Sequence, residues 1–423
     1  MKNLKGACLF GQSGGPTSVI NASAAGVFLE ALDQENITAV YGAEHGIRGI
    51  LEEKLFDMSK EDRKELELLK NTPSSALGSV RYKLKPVEVD DTDYKRLLEV
   101  FKKYNVRYFF YNGGNDSMDT CNKISKFMQS NGYECNVIGV PKTIDNDLYG
   151  TDHCPGFGSV ARYVATSVME VYLDSHVYDT GLIVIIEAMG RNAGWITASS
   201  SLASVKGYGP DLIYLPEEVF DVDSFVEDVR KVCQAKNNKA IVVVSEGIKD
   251  KNGKYISEYM STVNKDSFGH AQLGGTASIL ASIVNEKLSV KVRPIEFSLL
   301  QRCASHVGSG RDIEEAFNAG RMAVKYAVSG ETDKMVIFER ANEKDYKIEY
   351  KLVDLALAAN TEKKVPAEWI LPEHKGLSQE FVDYCLPLIQ GDPKCTLEDG
   401  LPRFAHLKKA VSYTHLRAHE TRE

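Results

Sequence analysis

Pro141-Lys142-Thr143-Ile144-Asp145-Asn146-Asp147 follows directly on the apolar run Asn136-Val137-Ile138-Gly139-Val140. This stretch decides the reading of the chain. The apolar run reads as a strand. The seven residues after it crowd two carboxylates, a hydroxyl, an amide and a cation into one turn. Such a strand end does nothing for fold stability. In open α/β sheets it is where ligands sit.

Upstream, Gly113-Gly114-Asn115-Asp116-Ser117 ends the strand-like Val106 to Tyr111 in the same manner. Two such loops after neighbouring strands suggest a phosphate-handling site with its own acid–base group. A helix N-cap would explain one polar residue of the Gly113 loop, but not four consecutive glycine or polar positions. Gly11-Gln12-Ser13-Gly14-Gly15-Pro16-Thr17-Ser18 opens the helix-prone Ile20 to Leu32. Its glycines let backbone N–H groups approach an anion at a helix N-terminus. The loop lacks the Gly-Lys-Ser/Thr ending of a Walker A motif and misses Gly-x-Gly-x-x-Gly, so a tight turn without ligand explains it equally well.

Leu77-Gly78-Ser79-Val80-Arg81 offers a cation after a turn, and Met189-Gly190-Arg191 offers another after the strand-like Leu182 to Ile186. Arg191 can clamp a phosphate with two parallel hydrogen bonds. Ser245-Glu246-Gly247 ends a further strand with one acid, suited to sugar hydroxyls. Arg293 and Arg302 lie on Lys291 to Arg302, whose alternation predicts a strand. Together these strand-end charges point to a phosphosugar cleft. Within the heptapeptide, Asp145 is the general-base candidate, Thr143 can donate to a phosphate oxygen, and Lys142 can neutralise developing charge. An Asx-turn at Asp145-Asn146 is the plainer reading, but it leaves Lys142 and Asp147 unexplained.

Strand-like and helical runs alternate along the chain, which predicts an α/β protein with doubly wound parallel sheets. Helices are expected at Asp93 to Lys103, Asp119 to Gln129, Ala193 to Ala203, Ser224 to Ala235, Leu273 to Val284 and Ile313 to Val328. So many units exceed one sheet, so two Rossmann-like lobes with the active site in the cleft between them are expected. The boundaries expected are 1–157 plus about 303–360 for one lobe and 158–302 for the other, with a seam near Gly156-Phe157-Gly158. Residues 361–410, punctuated by prolines, read as a peripheral C-terminal extension. Residues 411–423 fit neither periodicity and read as a non-native tail resembling translated adapter sequence.

The chain has 423 residues, 43% of them hydrophobic, enough for a full core. A formal net charge of −8 argues against a nucleic-acid binder, which would carry a basic stripe. Eight scattered cysteines without a Cys-x-x-Cys pair predict buried free thiols in a reducing compartment. No signal region or membrane-spanning run is present, so a cytoplasmic location with no membrane contact is expected.

At these residues the chain resembles the phosphofructokinase family, with the motifs in the family's order from Lys5 to Asn360. The resemblance implies two α/β lobes, the phosphoryl donor on one and fructose 6-phosphate on the other. It implies Asp145 as the base toward the sugar's 1-hydroxyl, with Thr143 and Arg191 stabilising the transferring group. Gly14, Gly15, Arg81, Gly114 and Asn115 match donor positions. Thr143, Asp145, Asp147, Met189, Gly190, Arg191, Glu246, Arg293 and Arg302 match sugar-phosphate positions, Arg293 from a neighbouring subunit of a homodimer or homotetramer.

Asp116 with Lys142 is similar to the pyrophosphate-dependent branch, where ATP-using members usually carry glycines. A carboxylate at Asp116 would face ATP's α-phosphate. Like charges about 4 Å apart at an effective dielectric near 20 repel by roughly 4 kcal/mol. Lys142 supplies the opposite sign to the pyrophosphate bridge. The resemblance implies reversible phosphoryl transfer from pyrophosphate with Mg2+; an ATP-dependent or mixed-donor kinase and a non-catalytic phosphosugar-binding paralogue are the alternatives. Three departures stand out. Asn115 replaces the family's magnesium-associated Asp, a weaker ligand for a hard cation. Leu299 replaces a sugar-phosphate His, and Cys303-Ala304-Ser305-His306 replaces the common Gly-Gly.

Overall fold

Apolar residues that alternate between two opposite faces of one strand require cover on both sides, and this chain supplies it twice. A computed structural model describes residues 4–259, 275–341, 345–359 and 361–411. The first sheet has seven strands: β1 (Gly6–Gln12), β2 (Ile37–Ala43), β3 (Leu55–Asp57), β4 (Val106–Gly113), β5 (Asn136–Pro141), β10 (Lys334–Arg340) and β11 (Ile348–Asp354). Their order is β11-β10-β5-β4-β1-β2-β3. The five inner strands are parallel, and the edges β3 and β11 run antiparallel. In β1, Ala7 and Leu9 pack toward helices Thr92–Lys103 and Asn115–Ser130, whereas Cys8 and Phe10 pack toward Ile20–Leu32 and Gly310–Val328.

The second sheet has four parallel strands: β6 (Leu182–Ala188), β7 (Leu212–Tyr214), β8 (Lys239–Ser245) and β9 (Val292–Glu296). Their order is β7-β8-β6-β9. Ile241 and Val243 of β8 face helix Phe157–Ser175, and Ala240, Val242 and Val244 face helices Val222–Ala235 and Thr276–Leu288. The architecture is therefore α/β with two wound lobes. Among the described residues, no helix is long and apolar enough to cross a membrane. All eight cysteines are free thiols, six of them buried.

Several expectations are corrected. The strand expected through Lys291 to Arg302 stops at Glu296, and Arg302 stands on a short helix, Leu300–Cys303. The break comes where Phe297 ends the ladder by donating to Glu187 O at 3.1 Å and Ser298 adopts a φ of 43°. The helix expected at Ala193 to Ala203 is α-helical only over Trp195–Ala198 and then tightens to a 3₁₀ turn. There Ser199 and Ser200 return their hydroxyls to Ile196 O and Thr197 O at 2.6 Å each, competing with the helical ladder. Leu273 and residues 412–423 lie outside the described residues.

The stretch after 361 is not peripheral. Phe381, Cys385 and Leu388 are buried in the second lobe's core with Trp195 and Phe157. Trp195 Nε1 donates to Lys363 O at 2.9 Å, and Ser309 Oγ donates to Leu388 O at 2.7 Å. Irregular Pro-rich sequence hides this burial because it carries no period to read. Phe381→Ala is expected to cost about 3–5 kcal/mol, read as a lower denaturant midpoint at unchanged m value. A change below about 0.5 kcal/mol would mark the segment as surface.

Candidate functional site

Because the inner strands of each sheet are parallel, their polar C-terminal loops gather at one end and face each other across a cavity of about 1070 Å³. The first lobe contributes Gly14 and Gly15 after β1, Gly114, Asn115 and Asp116 after β4, and Lys142, Thr143, Asp145 and Asp147 after β5. The second contributes Met189 and Arg191 after β6, Glu246 after β8 and Arg302 after β9. Arg81 completes the basic wall.

Asn115 and Asp116 open helix Asn115–Ser130, whose N-cap is Gly114 and carries no side-chain cap bond. Neither side chain is therefore used as a cap. Asn115 Nδ2 donates to Asp147 Oδ2 at 3.2 Å, leaving Oδ1 buried without a hydrogen-bond partner. The turn within the heptapeptide is closed by Thr143, whose Oγ1 accepts from the Asp145 N–H at 3.1 Å. The fully buried Asn146, at a φ of 54°, accepts on Oδ1 from Cys154 N at 2.9 Å rather than from a neighbour in the turn.

Lys142 is buried and donates to Gly15 O at 2.8 Å. Gly14 lies against it: at a φ of 76° it holds a left-handed turn, and a Cβ there would stand 3.3 Å from Nζ. The loops after β6 and β8 touch just as closely, since a Cβ on Gly247 would sit 2.0 Å from Arg191 O.

Four cations and five carboxylates line the cavity. Burial pushes the Lys142 ammonium down to about 8, against the pull of Asp145. Burial lifts the Asp145 carboxyl above its ordinary value, opposed by Lys142 and Arg191. Burial pushes Asp147 up to about 7, helped by the charges of Asp145 and Glu362. Glu246 is likewise raised to about 7 by burial and by Asp145. The arrangement holds groups able to take a proton beside groups able to bind an anion, the pairing that phosphoryl transfer needs.

Two expected residues stand outside the walls. Gly190 contributes backbone, its N–H donating to Glu246 Oε1 at 3.4 Å. Arg293 is exposed on β9, an edge strand, and does not face this cavity. His306 is exposed and also lies off the cavity, whereas Leu299 stands at its wall. Sequence reading missed Asn192 and Glu362, which line the cavity and are joined by a 3.1 Å bond from Asn192 Nδ2 to Glu362 Oε1. Asn192 directly follows Arg191 in a loop already singled out; Glu362 sits in the Pro-punctuated stretch and had no local signal.

Among the described residues, no group of three or more His, Cys, Asp or Glu side chains could hold a metal. The unpartnered Asn115 Oδ1 does suit a cation whose remaining ligands come from phosphate oxygens and water, the usual habit of Mg2+.

A family model described as Phosphofructokinase matches residues 8–295. The chain is 44% identical to a pyrophosphate–fructose 6-phosphate 1-phosphotransferase of Xanthomonas campestris pv. campestris, over 98% of this chain and 99% of the relative. It is 42% identical to the protein of the same name from Halomonas elongata, over 95% and 96% of the two. The structure is similar to the crystal structure of a pyrophosphate-dependent phosphofructokinase from Marinobacter aquaeolei, with a TM-score of 0.86, 38% identity, and 98% and 99% of the two chains covered. With its strand-end loops arranged around one charged cleft, the chain belongs to the phosphofructokinase family.

Proposed function

We propose that the chain catalyses reversible transfer of a phosphoryl group from pyrophosphate to the 1-hydroxyl of fructose 6-phosphate, giving fructose 1,6-bisphosphate and phosphate. The observation that carries this reading is that Asp116 and Lys142 line one cavity with Asp145. Full-length relatives bearing that activity in their names support it.

In the proposed reaction Asp145 accepts the proton of the 1-hydroxyl as its oxygen bonds to phosphorus. The bridging P–O bond breaks, and phosphate departs with charge balanced by Lys142. Thr143 and Arg191 hold oxygens of the transferring group. Gly14, Gly15, Gly114 and Arg81 cradle the remaining phosphate, and Asp116 repels a longer donor. Met189, Glu246 and Arg302 orient the sugar phosphate, with Gly190 acting through its N–H bond to Glu246. Asn115 Oδ1 would help hold a Mg2+ ion, which would supply charge to offset the negative charge of the donor.

The reading includes a homodimer or homotetramer, in which Arg293, exposed on β9 and off this chain's cleft, would serve a neighbouring subunit. It also includes a cytoplasmic place of action, in keeping with eight free thiols.

A coupled assay of purified protein with Mg2+ is expected to show turnover with pyrophosphate and little with ATP. Strong ATP turnover without pyrophosphate activity overturns the reading. Replacing Asp116 and Lys142 together by Gly is expected to lower kcat/KM for pyrophosphate by about 100-fold or more.

The same assay across pH tests the lysine. Lys142 is charged below its lowered value of about 8 and neutral above it, so kcat/KM for pyrophosphate is expected to fall as pH rises through that range. Lys142→Met should be weaker throughout and lack this basic limb.

A further inference from the structure

Asn146 stands between Asp145 and Asp147, whose residues both line the cavity, yet it is itself fully buried behind the loop. Its φ of 54° is left-handed, a conformation that L-residues other than Asn and Asp hold reluctantly. The amide is satisfied on both sides. Oδ1 accepts from Cys154 N at 2.9 Å, and Nδ2 donates to the Tyr384 hydroxyl at 2.8 Å. That hydroxyl in turn donates to Asp152 O at 2.7 Å.

Tyr384 comes from helix Gln379–Cys385, more than two hundred residues beyond the loop it meets. Its ring is fixed independently of its oxygen. The centroids of Trp195 and Trp369 lie 5.4 and 5.6 Å away, and the Arg340 guanidinium lies 4.9 Å from the ring centre. Burial keeps the phenol protonated, so it remains a donor to Asp152 O. The same C-terminal segment grips the far side of the loop. Lys363 N donates to Asp147 O at 2.8 Å, and Glu362 bridges to Leu148.

We propose that the Tyr384 hydroxyl is a positioning group for the phosphoryl transfer. By holding the Asn146 amide, it sets the left-handed turn that aims the Asp145 and Asp147 carboxylates into the cleft. This inference rests on the function proposed above, with Asp145 as base. It gives the C-terminal segment a catalytic consequence beyond core packing. A turn free to relax would let Asp145 drift from the reacting hydroxyl, and misplacement of about 1 Å is enough to cost a hundredfold in rate.

The test uses the full chain and three variants. Tyr384→Phe removes one oxygen and leaves the packed ring. It is expected to lower kcat about tenfold or more while both KM values stay within about twofold. Asn146→Gly keeps access to the left-handed turn and removes the amide. Its loss should be at least that of Tyr384→Phe, since the bond from Cys154 N goes as well, and the double variant should be no worse than Asn146→Gly alone, because the contact with Tyr384 is already gone there. Leu388→Ala loosens the same segment away from the tyrosine ring, so it should lower the thermal midpoint and leave kcat within about twofold.

Wild-type kcat in Tyr384→Phe overturns the inference, as do losses that add in the double variant. An equal fall in kcat in Leu388→Ala also overturns it, by reducing the effect to segment docking. A wild-type chain with no pyrophosphate turnover would defeat the proposed function and this inference with it. An active wild type beside an unaffected Tyr384→Phe defeats the inference alone.

Discussion

A buried ammonium must be matched by nearby charge and hydrogen bonds, and the cleft is organised around matching Lys142. Burial alone would strip its proton, and the neighbouring Asp145 and Asp147 act against that. The single bond to Gly15 O ties the loop after β5 to the loop after β1. It also constrains Gly14, which has no side chain to crowd the ammonium. In the other direction, Lys142 and Arg191 restrain the rise that burial imposes on Asp145. Each charge is therefore held by the others, and an arriving polyanion changes the balance for all of them at once. A cleft of this kind reads the charge of its donor as much as its shape.

The rest of the molecule serves that cluster by holding it from three sides. The seven-stranded sheet delivers the glycine loops, Asp116 and the heptapeptide, and the four-stranded sheet delivers Met189, Arg191 and Glu246. The third side is the segment after 361, which meets the heptapeptide backbone at Asp147, the adjoining Leu148, and the loop's rear at Asn146. Rigid backing matters here because the reaction has little covalent chemistry for the protein to perform, so rate depends on placement and electrostatics.

The lobes were legible in the sequence because strands covered on both faces leave continuous apolar runs, and each run ended in glycines and charges that core packing does not require. Fourteen of the sixteen site residues named from those loops and strands, from Gly14 to Arg302, do line one cavity. What was hidden has identifiable physics. The alternation of Lys291 to Arg302 outlasts its strand because its end is marked by backbone features, the Phe297 N–H bond to Glu187 O and the angle at Ser298. Ser199 and Ser200 mimic helix-compatible sequence after Trp195 until their hydroxyls tighten the turn. Glu362 and Tyr384 lie in aperiodic sequence, and their importance exists only through contacts spanning 170 and 238 residues. Asn146 was visible, but as a turn residue; that its amide faces a tyrosine from the other end of the chain is a tertiary fact.

The central claim is that Asp145 acts as the proton acceptor in a cleft whose binding surface is built by other groups. Asp145→Asn keeps shape and removes basicity, so single-turnover rate and ligand affinity should separate. With fructose 6-phosphate and pyrophosphate dissociation constants measured by titration calorimetry, the account predicts a rate about a thousandfold lower and affinities within about threefold of wild type. A rate within about tenfold of wild type would contradict it, as would a loss explained entirely by weaker binding.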